Sequence, residues 1–91
     1  MKITFDKPFE FEGKTFEGLD LNLDALTGRH LIDAATEARA LGDKSPVMEL
    51  SKTYQAVLAA KASKMSADMI IALPGKEFSR VTLQVANFLF E

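Results

Sequence analysis

The chain contains no cysteine. No disulfide framework and no thiolate metal site can therefore form. A single histidine, His30, is present, so the paired imidazoles of a histidine-rich zinc site are excluded as well. Charge of either sign is nearly balanced, with a formal net value of −2, which gives no broad electrostatic pull toward nucleic acid or anionic lipid. Long hydrophobic runs are also missing. The longest, Met69 to Leu73, falls far short of the roughly 20 residues needed to cross a bilayer. The opening residues Met1-Lys2-Ile3-Thr4-Phe5-Asp6 lack the apolar core of a secretory signal. These absences lead us to expect a soluble, intracellular protein of the cytoplasm that binds neither membrane nor nucleic acid.

What is present is a globular composition: 47% apolar and 26% charged residues in 91 positions. This length suits one thin-cored domain spanning 1–91, with a β-hairpin region at 1–23 and a helical region at 27–90. In the first region Ile3 and Phe5, then Phe9 and Phe11, alternate with polar residues, which is a strand pattern. A turn at Gly13-Lys14 is expected to place Phe11 opposite Phe16 and Glu12 opposite Thr15. The apolar parity then shifts to Leu19, Leu21 and Leu23, which predicts a bulge or bend at Gly18. Pro8 cannot donate to a ladder and belongs at a strand start or an edge.

A first helix is predicted from Thr27, its N-cap, to Leu41, with Gly42 as the stop. Its buried stripe reads Leu31, Ala34, Ala35, Ala38 and Leu41. A second helix is predicted from Pro46 to Lys64, capped by Ser45. Val47, Leu50, Tyr54, Val57 and Leu58 mark its inner face, with Lys52, Gln55 and Lys61 at polar positions. Ser66 caps a short third helix that ends at Leu73, before Pro74. The last helix follows from Pro74. The architecture expected is α+β: an N-terminal β-hairpin followed by three to four helices packed on it.

The last helix carries more apolar surface than one core contact uses. Phe78, Val81, Val85, Phe88 and Leu89 form one helical row, and Leu83, Ala86 and Phe90 form a second. The first row reads as core. The second, with Met69 and Ile70 of the preceding helix, is the candidate partner-binding surface, because a small domain has limited capacity to surround a terminal helix.

Catalytic chemistry finds little support. The carboxylate pairs Glu10/Glu12 and Asp20/Asp24 read as the charged solvent face of an edge structure. Gly13-Lys14-Thr15 and Gly75-Lys76 lack the glycine spacing of a phosphate loop. We expect no enzyme activity, no cofactor and no metal.

Several short motifs occur in a recognisable order: Pro8-Phe9-Glu10-Phe11-Glu12-Gly13-Lys14-Thr15-Phe16, then Leu19-Asp20-Leu21, then Leu26-Thr27-Gly28-Arg29-His30-Leu31-Ile32-Asp33-Ala34. Tyr54 to Ala62, Ile71-Ala72-Leu73-Pro74-Gly75-Lys76-Glu77-Phe78, Val81-Thr82 and Asn87-Phe88-Leu89 follow. Over essentially its whole length the chain resembles the tail assembly chaperones of long-tailed phages and prophages, the group that includes the Mu-like and P2-like small tail proteins. Two positions depart from the family pattern. His30 stands where an acid would complete a capping box with Thr27, which predicts a less firmly capped first helix, and Gly75 stands where a better helix former is expected.

The resemblance implies a non-enzymatic role. Such chaperones bind the long, largely helical tape measure protein before the tail tube forms, keep it soluble, help recruit tail tube subunits and are absent from the mature virion. In several of these phages a ribosomal frameshift adds a C-terminal domain, and this chain fits the unextended product. An amphipathic client calls for an exposed apolar surface rimmed by charge, and many copies of a small binder would supply avidity along it. A homo-oligomer is compatible with the same surface. The alternatives are a structural tail or virion subunit and, less favoured by the acidic balance, a prophage-encoded nucleic-acid-binding regulator.

Overall fold

A computed structural model describes all residues, 1–91. The chain is α+β, a two-stranded antiparallel hairpin followed by helices. Strands β1 (Lys2–Phe11) and β2 (Lys14–Asp20) lead into a 3₁₀ turn at Leu23–Ala25, helix α1 (Gly28–Ala40) and a second 3₁₀ turn at Met48–Leu50. Helices α2 (Lys52–Ser63), α3 (Ala67–Ala72) and α4 (Gly75–Leu89) complete the order.

The hairpin turn lies one residue earlier than the apolar alternation predicts. Phe11 pairs with Lys14, Glu10 with Thr15 and Phe9 with Phe16, so the loop residues are Glu12 and Gly13. Both have positive φ, 50° and 79°. A two-residue primed turn needs this because its twist matches that of the strands. In the sequence Gly13 alone signals the turn; nothing marks Glu12 as sharing its left-handed conformation. The irregularity expected at Gly18 is real but sits on the other strand. Thr4 pairs with Gly18 and Phe9 with Phe16, so β1 carries the surplus residues, Pro8 among them, opposite Glu17. Gly18 matters for a different reason. A Cβ there would collide with the Ile3 carbonyl oxygen and crowd the Thr4 Cα at 3.1 Å. Glycine permits this close backbone approach beside the bulge.

Helix α1 has the predicted limits, with Thr27 as N-cap, Leu41 as C-cap and Gly42 at φ 98°. Ala34 and Ala38 are fully buried, while Leu41 is exposed; it lies past the last helical residue and leaves the stripe. The capping expectation is corrected. The Thr27 backbone N–H donates to His30 Nδ1 at 2.9 Å, so the imidazole supplies the acceptor that a carboxylate would have supplied.

Helix α2 begins at Lys52 rather than at Pro46. Asp43 is the cause. Its carboxylate accepts the Ser45 N–H at 2.9 Å and the Ser45 hydroxyl at 2.6 Å, closing a local turn that competes with helix. It also takes a hydrogen bond from the Ser51 hydroxyl. Ser45 is thereby occupied, and Ser51 becomes the N-cap, its Oγ accepting the Tyr54 N–H at 3.1 Å. Val47 and Leu50 lie before the helix and are exposed, in contrast to the inner-face role predicted for them.

Once formed, α2 is the axis of the molecule. Every residue from Tyr54 to Ala60 is buried, and so is Ala62. Gln55, expected at a polar position, is buried too; its Nε2 donates to the Glu49 carbonyl at 2.8 Å. Helices α1, α3 and α4 all pack on α2, and its alanines let their backbones come close. Ser66 caps α3 through the Met69 N–H at 3.1 Å, as predicted.

Two glycines test this arrangement. Gly18→Ala is expected to cost about 1–3 kcal/mol, the range of an overpacked site. Gly75→Ala, in open space at the start of α4, should gain up to about 1 kcal/mol. Urea denaturation of both variants checks the opposite signs.

Candidate functional site

Helix α4 has two faces of opposite character. Val81 and Val85 are fully buried, and Phe78, Phe88 and Leu89 pack beside them against the core. At about 100° per residue, Leu83 and Phe90 project to nearly the same side, roughly opposite Val81 and Val85. They are 54% and 59% exposed. Ala86, between them, is half-buried. The second apolar row of the sequence is therefore not a flank of the core row. It faces away from the core.

Met69 and Ile70, the other two expected members, do not join it. They are 1% and 0% exposed. Helix α3 has only six residues and lies against α2, so both of these neighbours turn into the core, and Ile71 is the one left outside. Met1 takes their place beside Leu83. It lines a shallow recess of about 310 Å³ together with Ile3, Arg80, Leu83 and Gln84. Met1 is exposed. It belongs to no periodic run, so helical spacing cannot find it. The result is an apolar crest with Leu83 and Phe90 along the top and Met1 beside Leu83. Exposed apolar groups gathered in this way mark contact surfaces more often than scattered ones do.

The crest is held in place from its N-terminal end by ion pairs. Glu77, in the first turn of α4, is 5% exposed. Its Oε2 accepts the backbone N–H of Asp6 at 2.7 Å, and its Oε1 pairs with Arg80 at 2.5 Å. Asp6 sits in the irregular part of β1, where a backbone N–H is free of the ladder. Its own carboxylate pairs with Lys76 at 2.7 Å and Arg80 at 3.7 Å. The bulge thus becomes the socket for α4. A hydrogen bond from Lys76, then its charge, holds the Asp6 carboxyl below the ordinary value of 3.8, and Asp6 raises the Lys76 ammonium in return. Glu77 offers no periodicity signal: it reads as a favourable acid in a helix first turn, and only the fold reveals its strand partner.

His30, the chain's one histidine, is engaged with the Thr27 cap. No group of three or more histidine, aspartate or glutamate side chains is arranged to hold a metal ion, and no helix is long and apolar enough to cross a membrane. No protein-family model matches the chain, and no curated protein and no solved structure matches it.

The socket yields two expectations. Glu77→Ala orphans the Asp6 N–H and should cost about 1–3 kcal/mol, measured by chemical denaturation, while Glu77→Gln, which keeps an acceptor, should lose less. Because the folded state lowers the Asp6 pKa, its ion pair stabilises fully above 3.8 and fades as pH falls through the lowered folded value. The stability gap between the native chain and Asp6→Asn should therefore narrow on acidification below that point. A gap that stays constant would contradict the pairing.

Proposed function

We propose that this chain is a non-enzymatic tail assembly chaperone of a long-tailed phage or prophage, holding the tape measure protein in the host cytoplasm until the tail tube encloses it. The observation that carries the reading is the outward row of α4, in which Leu83 and Phe90 stand in solvent on the side of the helix away from the core. A solvent-exposed aromatic and leucine two turns apart match the spacing of anchors on an amphipathic helical client. The sequence resemblance over essentially the whole chain supplies the identity of that client and the role of tail tube recruitment. The charged groups near the crest, Arg80, Lys76 and Glu91, suit the polar rim of such an interface.

The contact residues proposed are Leu83, Ala86 and Phe90, with Met1 beside them. The client is held by many weak contacts along its length, so that polymerising tube subunits displace the chaperone without a chemical step.

The test is co-expression with the tape measure protein of the same phage or prophage. Leu83→Ser with Phe90→Ser should leave stability within about 0.5 kcal/mol of the native chain, as exposed substitutions do, and abolish co-purification. Retention of the tape measure by a folded double variant would place the contact elsewhere. Mass spectrometry of purified tails should find the chain missing; its presence in stoichiometric amount would make it a structural subunit instead.

A further inference from the structure

We propose that residues 46–51 are a dormant extension of helix α2, held off the helix by the Asp43 carboxylate acting as a latch. With the latch released, α2 begins at Pro46 instead of Lys52. This concerns two conformations of the chain itself and does not depend on the function proposed above.

Two residues keep the segment from joining α2. Val47 lies at φ −120°, ψ 101° and Ser51 at φ −77°, ψ 126°, both extended. Between them Met48–Leu50 already form one turn of 3₁₀ helix. The Ser51 φ is close to a helical value, so rotation of its ψ by about 170° brings that turn into line with α2. Ser45 and Pro46 suit the start of the longer helix, one as N-cap and the other at the first position. Local residues that favour helix where the fold shows a turn are in conflict with the tertiary structure, and such conflicts gather at places that switch or are strained.

The tertiary side of this conflict rests on one side chain. Asp43 Oδ1 accepts the Ser45 N–H at 2.9 Å and the Ser45 hydroxyl at 2.6 Å, and Oδ2 accepts the Ser51 hydroxyl. The Ser45 hydroxyl that could cap the longer helix is thus occupied. Ser51 is buried, and its Oγ caps the short helix through the Tyr54 N–H. The hydrogen bonds from Ser45 hold the Asp43 carboxyl below its ordinary value of 3.8, so the carboxylate is charged and the latch closed at neutral pH.

The latched state carries defects that extension removes. Gln55 is buried; its Nε2 donates to the Glu49 carbonyl, and its Oε1 has no partner, which is destabilising for a buried acceptor. The N–H groups of Lys52 and Thr53, in the first turn of α2, have no intrahelical acceptor. In the longer helix they donate to the Met48 and Glu49 carbonyls, and the Gln55 amide is released. Val47 and Leu50, both exposed, come into line with Tyr54 and Val57, each seven residues further on. The switch therefore changes which apolar groups this end of α2 presents. Six added residues lengthen the helix by about 9 Å. Asp43 already lies beside Ser51, and the three residues from Asp43 to Ser45 span up to about 10 Å, enough to follow the new start.

The experiment is backbone NMR of the full chain with two substitutions. Asp43→Ala removes the latch. Ser51→Ala removes only its far hydrogen bond and the cap of the short helix. In the native chain the Cα shifts should be helical from Lys52 onward and extended at Val47 and Ser51. Both variants should show helical shifts from Pro46 through Ser51, and far-UV circular dichroism should rise to match. Adding Ser45→Ala to Asp43→Ala removes the N-cap of the longer helix and should reduce the gain. Extended shifts retained at Ser51 in either folded variant overturn the latch. So does a Ser51→Ala chain that fails to fold, because the longer helix should make the lost cap unnecessary. A gain undiminished by Ser45→Ala overturns Pro46 as the new start.

Discussion

Burial of α2 on every side is the constraint from which the rest of the molecule follows. A helix without a polar face cannot remain at a surface, so α1, α3, α4 and the hairpin end must all be brought to it. Its alanines set how near they come. Ala56, Ala59, Ala60 and Ala62 are buried, and each offers a shallow site where a neighbouring helix can settle. The Asn22 N–H donates to the Ala62 carbonyl at 3.1 Å, tying the hairpin to the far end of α2, and Lys61 pairs with Glu37 of α1 at 2.9 Å. A 12-residue helix has only so much perimeter. Once α1 and α3 have taken their shares, α4 can give it one face and must leave the other in water. The exposed crest is thus a geometric consequence of a short central helix.

Legibility in the sequence follows the range of the interactions involved. Elements limited by their own residues are readable. Thr27 and Gly42 bracket α1, Ser66 opens α3, and Pro74 separates α3 from α4, because caps and breakers act within a few positions. Where a side chain has two local uses, reading fails. Ser45 is a good N-cap by type, but Asp43 claims it, and Ser51 becomes the cap instead. Gly13 announces a turn, yet Glu12 shares the positive φ and shifts the register by one. His30 reads as a weakened cap and proves a working one, since an imidazole nitrogen accepts as a carboxylate oxygen does.

Which apolar residues face out is only half legible, for a related reason. On α4 the period of the helix separates Leu83 and Phe90 from Val81 and Val85 correctly. On α3 six residues give too few turns for a period, and Met69 with Ile70 goes into the core. Gln55 shows the same limit from the polar side: its amide reads as surface, but α2 has no surface there. Glu77 is invisible to any local argument, because its partner is the backbone of Asp6 in a strand bulge 71 positions away. Met1 reaches the crest only through the way the start of β1 lies beside α4.

These constraints leave one face of one helix as the part of the molecule whose chemistry is unfinished. The socket formed by Asp6, Lys76, Glu77 and Arg80 fixes the near end of α4, and α2 fixes its inner face, so the crest is presented on a rigid support and its ordering cost on binding is low. The central claim is that binding takes place there. Hydrogen–deuterium exchange across the chain, with and without the co-expressed tape measure protein, tests it most directly. New protection is predicted to concentrate in peptides covering Leu83 to Phe90. Protection centred on the hairpin or on α1, with α4 unchanged, would contradict it.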